Sequence, residues 1–397
     1  MIELIVSSVQ AIMQVIVIVF TGVILSKHGY IDSDKQKWLS TLNISFFTPC
    51  LLFSSIASVI SLERLLAYWP IPAFYALYTL ISWLLCQIAS PLFKVDKYYR
   101  PFVSACVMFP NTNSLPVAII SSLAISEAGK SLYWNSDDNQ SMVSARGLSY
   151  TLFFGLFSNI LRWSYGYSLL QKNDEEKDGL DMDEEAVLSK SSHHHDYGTT
   201  SSSKSVVTVH NGWGISNLFK SINKWMTPPL YAVAFALLVG LCPPLKSLFY
   251  HSALNTAFTK AIESCGKVSV PIILLCLGAQ LKSIRETPST KNPKYRKPVC
   301  VALFIRMILT PLIVLPTVFA FATWGGAISK LAHDPIFIVS MVIVGCTPTA
   351  INLAQITQVS GMFEEEMLNL LFWSYGVACV PICTLVVFLA LLMVGKP

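Results

Sequence analysis

Ten apolar runs dominate this sequence, at roughly residues 4–26, 39–60, 66–91, 101–125, 148–171, 228–249, 254–281, 298–323, 335–359 and 367–394. A helix needs about 20 consecutive apolar residues to cross a bilayer, and each run is long enough, some with tilt. Open strands cannot satisfy their backbone in lipid, so the runs are expected to be helices. Only 13% of residues are charged, against about 25% in a soluble domain. That leaves too little polar surface for a water-facing globule. The 397 residues therefore read as one all-α, integral multi-pass membrane unit with ten transmembrane helices. The stretch from Leu4 to Leu25 has no basic region before it and no small-residue cleavage site after it, so it is expected to stay as the first helix.

Between the fifth and sixth runs, from Lys172 to about Asn223, the chain turns polar, with Asp174-Glu175-Glu176, Asp183-Glu184-Glu185 and then Ser and His. Such a composition cannot bury a core. Three parts are expected: a first five-helix half over 1–171, a flexible loop over 172–223 and a second five-helix half over 224–397. His193-His194-His195 in that loop has the chemistry of a weak metal site, but a solvated loop is favoured and no metal is expected. Basic residues crowd the first, third and seventh connections: Lys27, Lys35 and Lys37; Lys94, Lys97 and Arg100; Lys282, Arg285, Lys291, Lys294, Arg296 and Lys297. The positive-inside rule makes the odd connections, the long loop among them, cytosolic and both termini non-cytosolic.

The ten cysteines form no CxxC pair and no zinc spacing, and read as free thiols used as small hydrophobes. No Walker A, GxGxxG, HExxH or GxSxG motif appears in a plausible context, which argues against an enzyme, a nucleotide cofactor and ATP-driven transport. No aromatic-and-basic cluster of nucleic-acid type is present either. The partners left are the lipid bilayer, a small-molecule substrate and, for assembly, a second copy in a homodimer.

Five segments per half is an odd number, so two similar halves would be inverted relative to each other. The fourth segment carries Phe109-Pro110-Asn111-Thr112-Asn113-Ser114-Leu115-Pro116, and the ninth carries Thr347-Pro348-Thr349-Ala350-Ile351-Asn352-Leu353-Ala354-Gln355. Proline removes a helix hydrogen bond, so Pro110, Pro116 and Pro348 are expected to break these helices. In lipid such breaks persist where backbone lines a polar cavity. Half-helix N-termini present free N–H groups and the positive dipole end, which suit an anion. Asn111, Thr112, Asn113, Ser114, Thr347, Thr349, Asn352 and Gln355 are the expected substrate-binding residues, with Asn111 and Asn352 facing one cavity. The bland alternative is a pair of proline kinks with polar interhelical packing. Arg162 and Arg306 lie within segments, and snorkelling to the cytosolic interface is favoured over anion binding. Glu263 sits four residues before Lys267; the two are expected to pair, the functional alternative being a coupling role for Glu263.

At the broken segments the sequence resembles the auxin efflux carrier family, most closely its PIN-LIKES branch and fungal relatives. Phe47-Thr48-Pro49-Cys50-Leu51-Leu52-Phe53 resembles the family's second helix, and Pro110-Asn111-Thr112 and Asn111 through Leu115-Pro116 resemble its first crossover. Thr347-Pro348-Thr349-Ala350-Ile351-Asn352 resembles the second crossover, and Phe372-Trp373-Ser374-Tyr375 the tenth helix. The resemblance implies two inverted five-helix repeats of bile-acid-symporter/PIN-like fold. It also implies an auxin-like organic anion bound where the fourth and ninth helices cross, and residence in the endoplasmic reticulum, with plasma membrane or vacuole as alternatives. Ser114 stands where PIN-LIKES proteins often have a second asparagine. A sodium-coupled organic-anion symporter of bile-acid type and a nontransporting scaffold acting through the central loop are the competing readings.

Overall fold

A computed structural model describes residues 2–171, 226–252, 254–286 and 296–395. The 172–223 loop with its three histidines, and Lys291 and Lys294, lie outside the described residues. Helix α1 is Ile2–Lys27. Helix α2, Ser33–Leu42, passes through a widened π turn at Asn43–Phe47 into α3, Thr48–Val59. A short α4, Leu62–Ala67, precedes α5, Pro70–Leu92. The fourth run is two helices, α6 (Arg100–Met108) and α7 (Ser114–Ile125). Helix α8, Gln140–Leu161, ends in a π turn, Arg162–Gly166, and a last helical turn, α9 (Tyr167–Leu169).

After the long loop come α10, Pro228–Leu241, and α11, Pro243–Tyr250. A π turn at Asn255–Thr259 opens α12, Lys260–Glu286. Helix α13, Arg296–Phe304, continues through the π turn Ile305–Leu309 into α14, Thr310–Trp324. The ninth run is again two helices, α15 (Pro335–Cys346) and α16 (Leu353–Ser360). Helix α17, Glu364–Trp373, leads through the π turn Ser374–Ala378 into α18, Cys379–Val394.

Among the described residues, five continuous helical stretches are long and apolar enough to cross a membrane: Ser33–Val59, Pro70–Leu92, Asn255–Lys282, Arg296–Ala327 and Glu364–Val394. This is the signature of an integral multi-pass membrane protein. The run at 228–249 is not one continuous helix: α10 and α11 meet at 103°. Pro243 and Pro244 at the start of α11 supply no N–H to continue the α10 ladder, and the chain turns there.

Small residues bring the helices close. A Cβ at Gly22 of α1 would collide with the Leu275 carbonyl of α12, and one at Gly278 with the Val19 carbonyl of α1. Only glycine lets these two backbones touch, the usual route to tight packing without a hydrophobic drive between helices. Helix α15 is buried at every position from Ile336 to Cys346, so it runs through the middle of the molecule. Its first turn is pinned by charge. Asp334, wholly buried, accepts from the Ile336 N–H at 3.1 Å and the Tyr150 hydroxyl at 2.7 Å. Arg146 of α8 lies 3.0 Å from the same carboxylate, and its guanidinium donates to both oxygens of Asp138 at 3.0 and 2.8 Å. The Arg146 hydrogen bond, ahead of two backbone N–H donors, holds the Asp138 carboxyl well below the usual range, while burial pushes Asp334 up.

Candidate functional site

The fourth and ninth runs break where their prolines fall, and the two breaks cross. Phe109 leaves α6 with extended backbone (φ −109°, ψ 93°) and Thr347 leaves α15 likewise (φ −66°, ψ 156°). Pro110 and Thr349 then pair as one antiparallel bridge. The Asn111 N–H donates to the Pro348 carbonyl at 2.8 Å and the Ala350 N–H to the Phe109 carbonyl at 2.9 Å. Each linker thus supplies the other with backbone partners that its own helix has lost.

Two buried arginines take carbonyls that the bridge leaves over. Arg306, 3% exposed, donates to the carbonyls of Thr347 (2.8 Å), Gly345 (2.9 Å) and Val107 (3.3 Å). Arg162, 2% exposed, donates to the Pro110 carbonyl at 3.0 Å, to Ser158 at 2.9 Å and to Asn159 at 3.3 Å. The snorkelling expectation is therefore corrected for both. Each arginine sits in a π turn, which changes the direction a side chain takes from the helix. Its guanidinium is drawn inward by broken backbone that lipid cannot solvate.

Asn111, Thr112, Asn113, Ser114, Arg162 and Asn352 line one small pocket, closed by Val270, Ala350 and Ile351. Its volume is about 20 Å³, room for about one water. Asn111 and Asn352 are thus brought to one cavity. Their side chains differ in availability. The Asn111 amide donates to the Tyr375 hydroxyl at 2.7 Å and to Ser114 at 3.0 Å, and its oxygen accepts from the Asn113 N–H at 3.1 Å. The Tyr375 hydroxyl in turn donates to the Thr349 carbonyl at 2.9 Å. Asn111 is held in place by these bonds. Asn113 and Asn352 are the residues preceding α7 and α16, and neither side chain caps its own helix. The Thr112 hydroxyl is buried with no hydrogen-bond partner.

Three expected contact residues are occupied elsewhere. The Thr347 hydroxyl donates to the Asn111 carbonyl at 2.8 Å and that of Thr349 to Cys106 at 2.7 Å, so both fasten the crossing. Gln355 accepts weakly from Thr48 at 3.4 Å and does not line the pocket. Of the expected breakers, Pro110 and Pro348 lie in the linkers. Pro116 sits inside the first turn of α7, where a missing N–H has no partner to lose. Glu263 pairs with Lys267 at 2.7 Å and is not among the pocket residues. Among the described residues no cluster of three metal-ligating side chains occurs.

Tyr375 is the site residue that sequence reasoning missed and Arg162 the one it read as snorkelling, and a signal for both stretches exists. Asn159-Ile160-Leu161-Arg162-Trp163-Ser164-Tyr165-Gly166 matches Asn369-Leu370-Leu371-Phe372-Trp373-Ser374-Tyr375-Gly376 at Asn, Leu, Trp, Ser, Tyr and Gly. Both stretches run into π turns.

Apolar helices of membrane-crossing length, with two further runs interrupted by polar linkers that meet at a buried pocket, make this a multi-pass membrane protein. The chain belongs to the membrane transport protein family, whose model matches residues 7–386. It is 32% identical over 433 residues to an uncharacterized transporter of Schizosaccharomyces pombe, covering 97% of this chain and 95% of the relative. A second, in Saccharomyces cerevisiae, is 32% identical over 404 residues, covering 95% and 93%. Protein PIN-LIKES 5 of Arabidopsis thaliana is 23% identical over 347 residues, covering 84% and 83%. The family and the two fungal relatives are described as transporters.

Proposed function

We propose that this protein carries small organic anions, auxin-like weak acids such as indole-3-acetate or related compounds. The carboxylate is bound at the helix crossing, and transport follows an elevator-like alternating-access cycle. One observation carries the reading: the pocket gathers the uncommitted Asn113 and Asn352 amides at two half-helix N-termini beside the Arg162 guanidinium. Helix N-termini and a guanidinium all favour negative charge. A pocket of about 20 Å³ cannot admit an organic acid, so the linkers must part for substrate to enter, and the described conformation is closed.

The wider architecture belongs to the same proposal. Ten spans form two inverted five-helix repeats, over 1–171 and 224–397, joined by a cytosolic 172–223 loop. Support comes from the crossing of the fourth and ninth runs and from the repeated Trp-Ser-Tyr-Gly at 163–166 and 373–376. The endoplasmic reticulum is the proposed membrane and a homodimer the proposed assembly. With no acid lining the pocket, transport needs no sodium.

Binding of indole-3-acetate and a panel of organic acids to purified protein tests the site. Losing one hydrogen bond to a charged group costs roughly 1.5–3 kcal/mol, or about ten- to a hundredfold in affinity. Asn113→Ala and Asn352→Ala should each show that loss while folding normally, with Arg64→Ala on an exposed connection as the control. Wild-type affinity in both asparagine variants would make the crossing a packing feature.

A further inference from the structure

The polar pocket has a larger neighbour. Ile351 lines the 20 Å³ pocket and also an apolar groove of about 380 Å³. The groove is walled by Val19 and Phe20 of α1, Leu274 and Leu277 of α12, and Tyr375 and Gly376 of the last π turn. Its volume falls within the roughly 300–1,000 Å³ of small-molecule sites. Phe20 is 62% exposed, so the groove opens sideways, toward the bilayer. Its inner end meets Ile351, which is 5% exposed and is the single residue shared with the pocket of Asn113 and Asn352.

Gly376 shows that packing does not close this space. A Cβ added there meets no atom within 4 Å, whereas one on Gly166, its counterpart in the repeated stretch, would strike the Phe109 ring at 2.6 Å. The groove has no charged residue in its lining, so it offers no seat for a phosphate head group. The Tyr375 hydroxyl is turned to Asn111 and Thr349. What the pair of spaces fits is an amphipath with one anionic head and an apolar body.

We propose that the groove between α1, α12 and the last π turn receives the apolar body of the carried monocarboxylate, entering from the lipid side, and that Ile351 is the gate between body and head. This rests on the anion-carrier reading above. The head would reach Asn113 and Asn352 once Ile351 moves aside, so groove size sets which acids are carried.

The test measures binding of butanoate, hexanoate, octanoate and decanoate to the full-length protein in nanodiscs, referenced to empty discs. Affinity should rise by about fourfold per buried methylene until the groove is full. Gly376→Leu should flatten that rise, cutting decanoate's advantage over butanoate by about tenfold or more. Ile16→Trp, on the exposed rim of the groove, should do the same and serves if Gly376→Leu fails to fold. Acids that bind with no dependence on length, or a length dependence that both folded variants retain, overturn the groove and leave the anion pocket standing; an acyl chain permanently in the groove gives the first result. If no acid of any length binds, the anion pocket falls and the groove proposal with it.

Discussion

Arg306 is where the broken architecture is most exposed to a single change. Its guanidinium satisfies three carbonyls, of Thr347, Gly345 and Val107, at 2.8, 2.9 and 3.3 Å. A buried carbonyl left without a partner costs about 1–3 kcal/mol, so Arg306→Met strands groups worth roughly 3–9 kcal/mol in total. Removing the cation returns several kcal/mol of desolvation, which leaves a net loss of about 3 kcal/mol. Lysine retains the burial cost but not the fork, and one ammonium cannot serve all three acceptors. Arg306→Lys should therefore also destabilise rather than rescue. Thermal unfolding in detergent, followed by tryptophan fluorescence, reads the effect. At about 2–4 °C per kcal/mol for a chain above 150 residues, the methionine variant should melt roughly 6–12 °C below wild type. A methionine variant that melts with wild type would refute the carbonyl-repair argument. A lysine variant equal to wild type would show that charge, and not the fork, is what matters.

Tyr375→Phe removes both the acceptor for Asn111 and the donor to Thr349; the stranded Thr349 carbonyl should cost about 1–3 kcal/mol and lower the melting temperature by roughly 2–12 °C, and organic-acid affinity should fall by up to about tenfold, checked by melt and titration together. Asp138 has a depressed carboxyl, so its stabilisation is present above the ordinary carboxylate pKa of about 4 and is lost as pH falls through the lower folded value. Asp334 is raised, so its contribution is present in acid and lost as pH rises through its folded value. Melting temperature against pH should thus fall less steeply in acid for Asp138→Asn and decline less above about pH 4 for Asp334→Asn; curves parallel to wild type in both would contradict this.

The breaks were legible because proline and asparagine inside an apolar run are a strong local signal, and Pro110 and Pro348 do sit in the linkers. The helical runs were legible for the same reason, since length and apolarity alone decide what lipid tolerates. The 103° turn was not read, although Pro243-Pro244 lies in the middle of that run. The arginines were misread because position along a segment gives depth and not direction. Arg162 and Arg306 point inward because each lies in a π turn beside unpaired carbonyls that come from distant parts of the chain. Asn111 and Asn113 cannot be ranked from sequence at all. Which amide is free depends on Tyr375, which is 264 residues from Asn111.

Flux decides the central claim most directly. Purified wild-type protein and an Asn113→Ala/Asn352→Ala variant, both reconstituted into sodium-free proteoliposomes, would be given labelled indole-3-acetate and a panel of organic acids. The account predicts protein-dependent uptake of at least one organic anion without sodium, reduced by ten- to a hundredfold or more in the double variant. Uptake that appears only with sodium, or that the double variant performs at the wild-type rate, would contradict it.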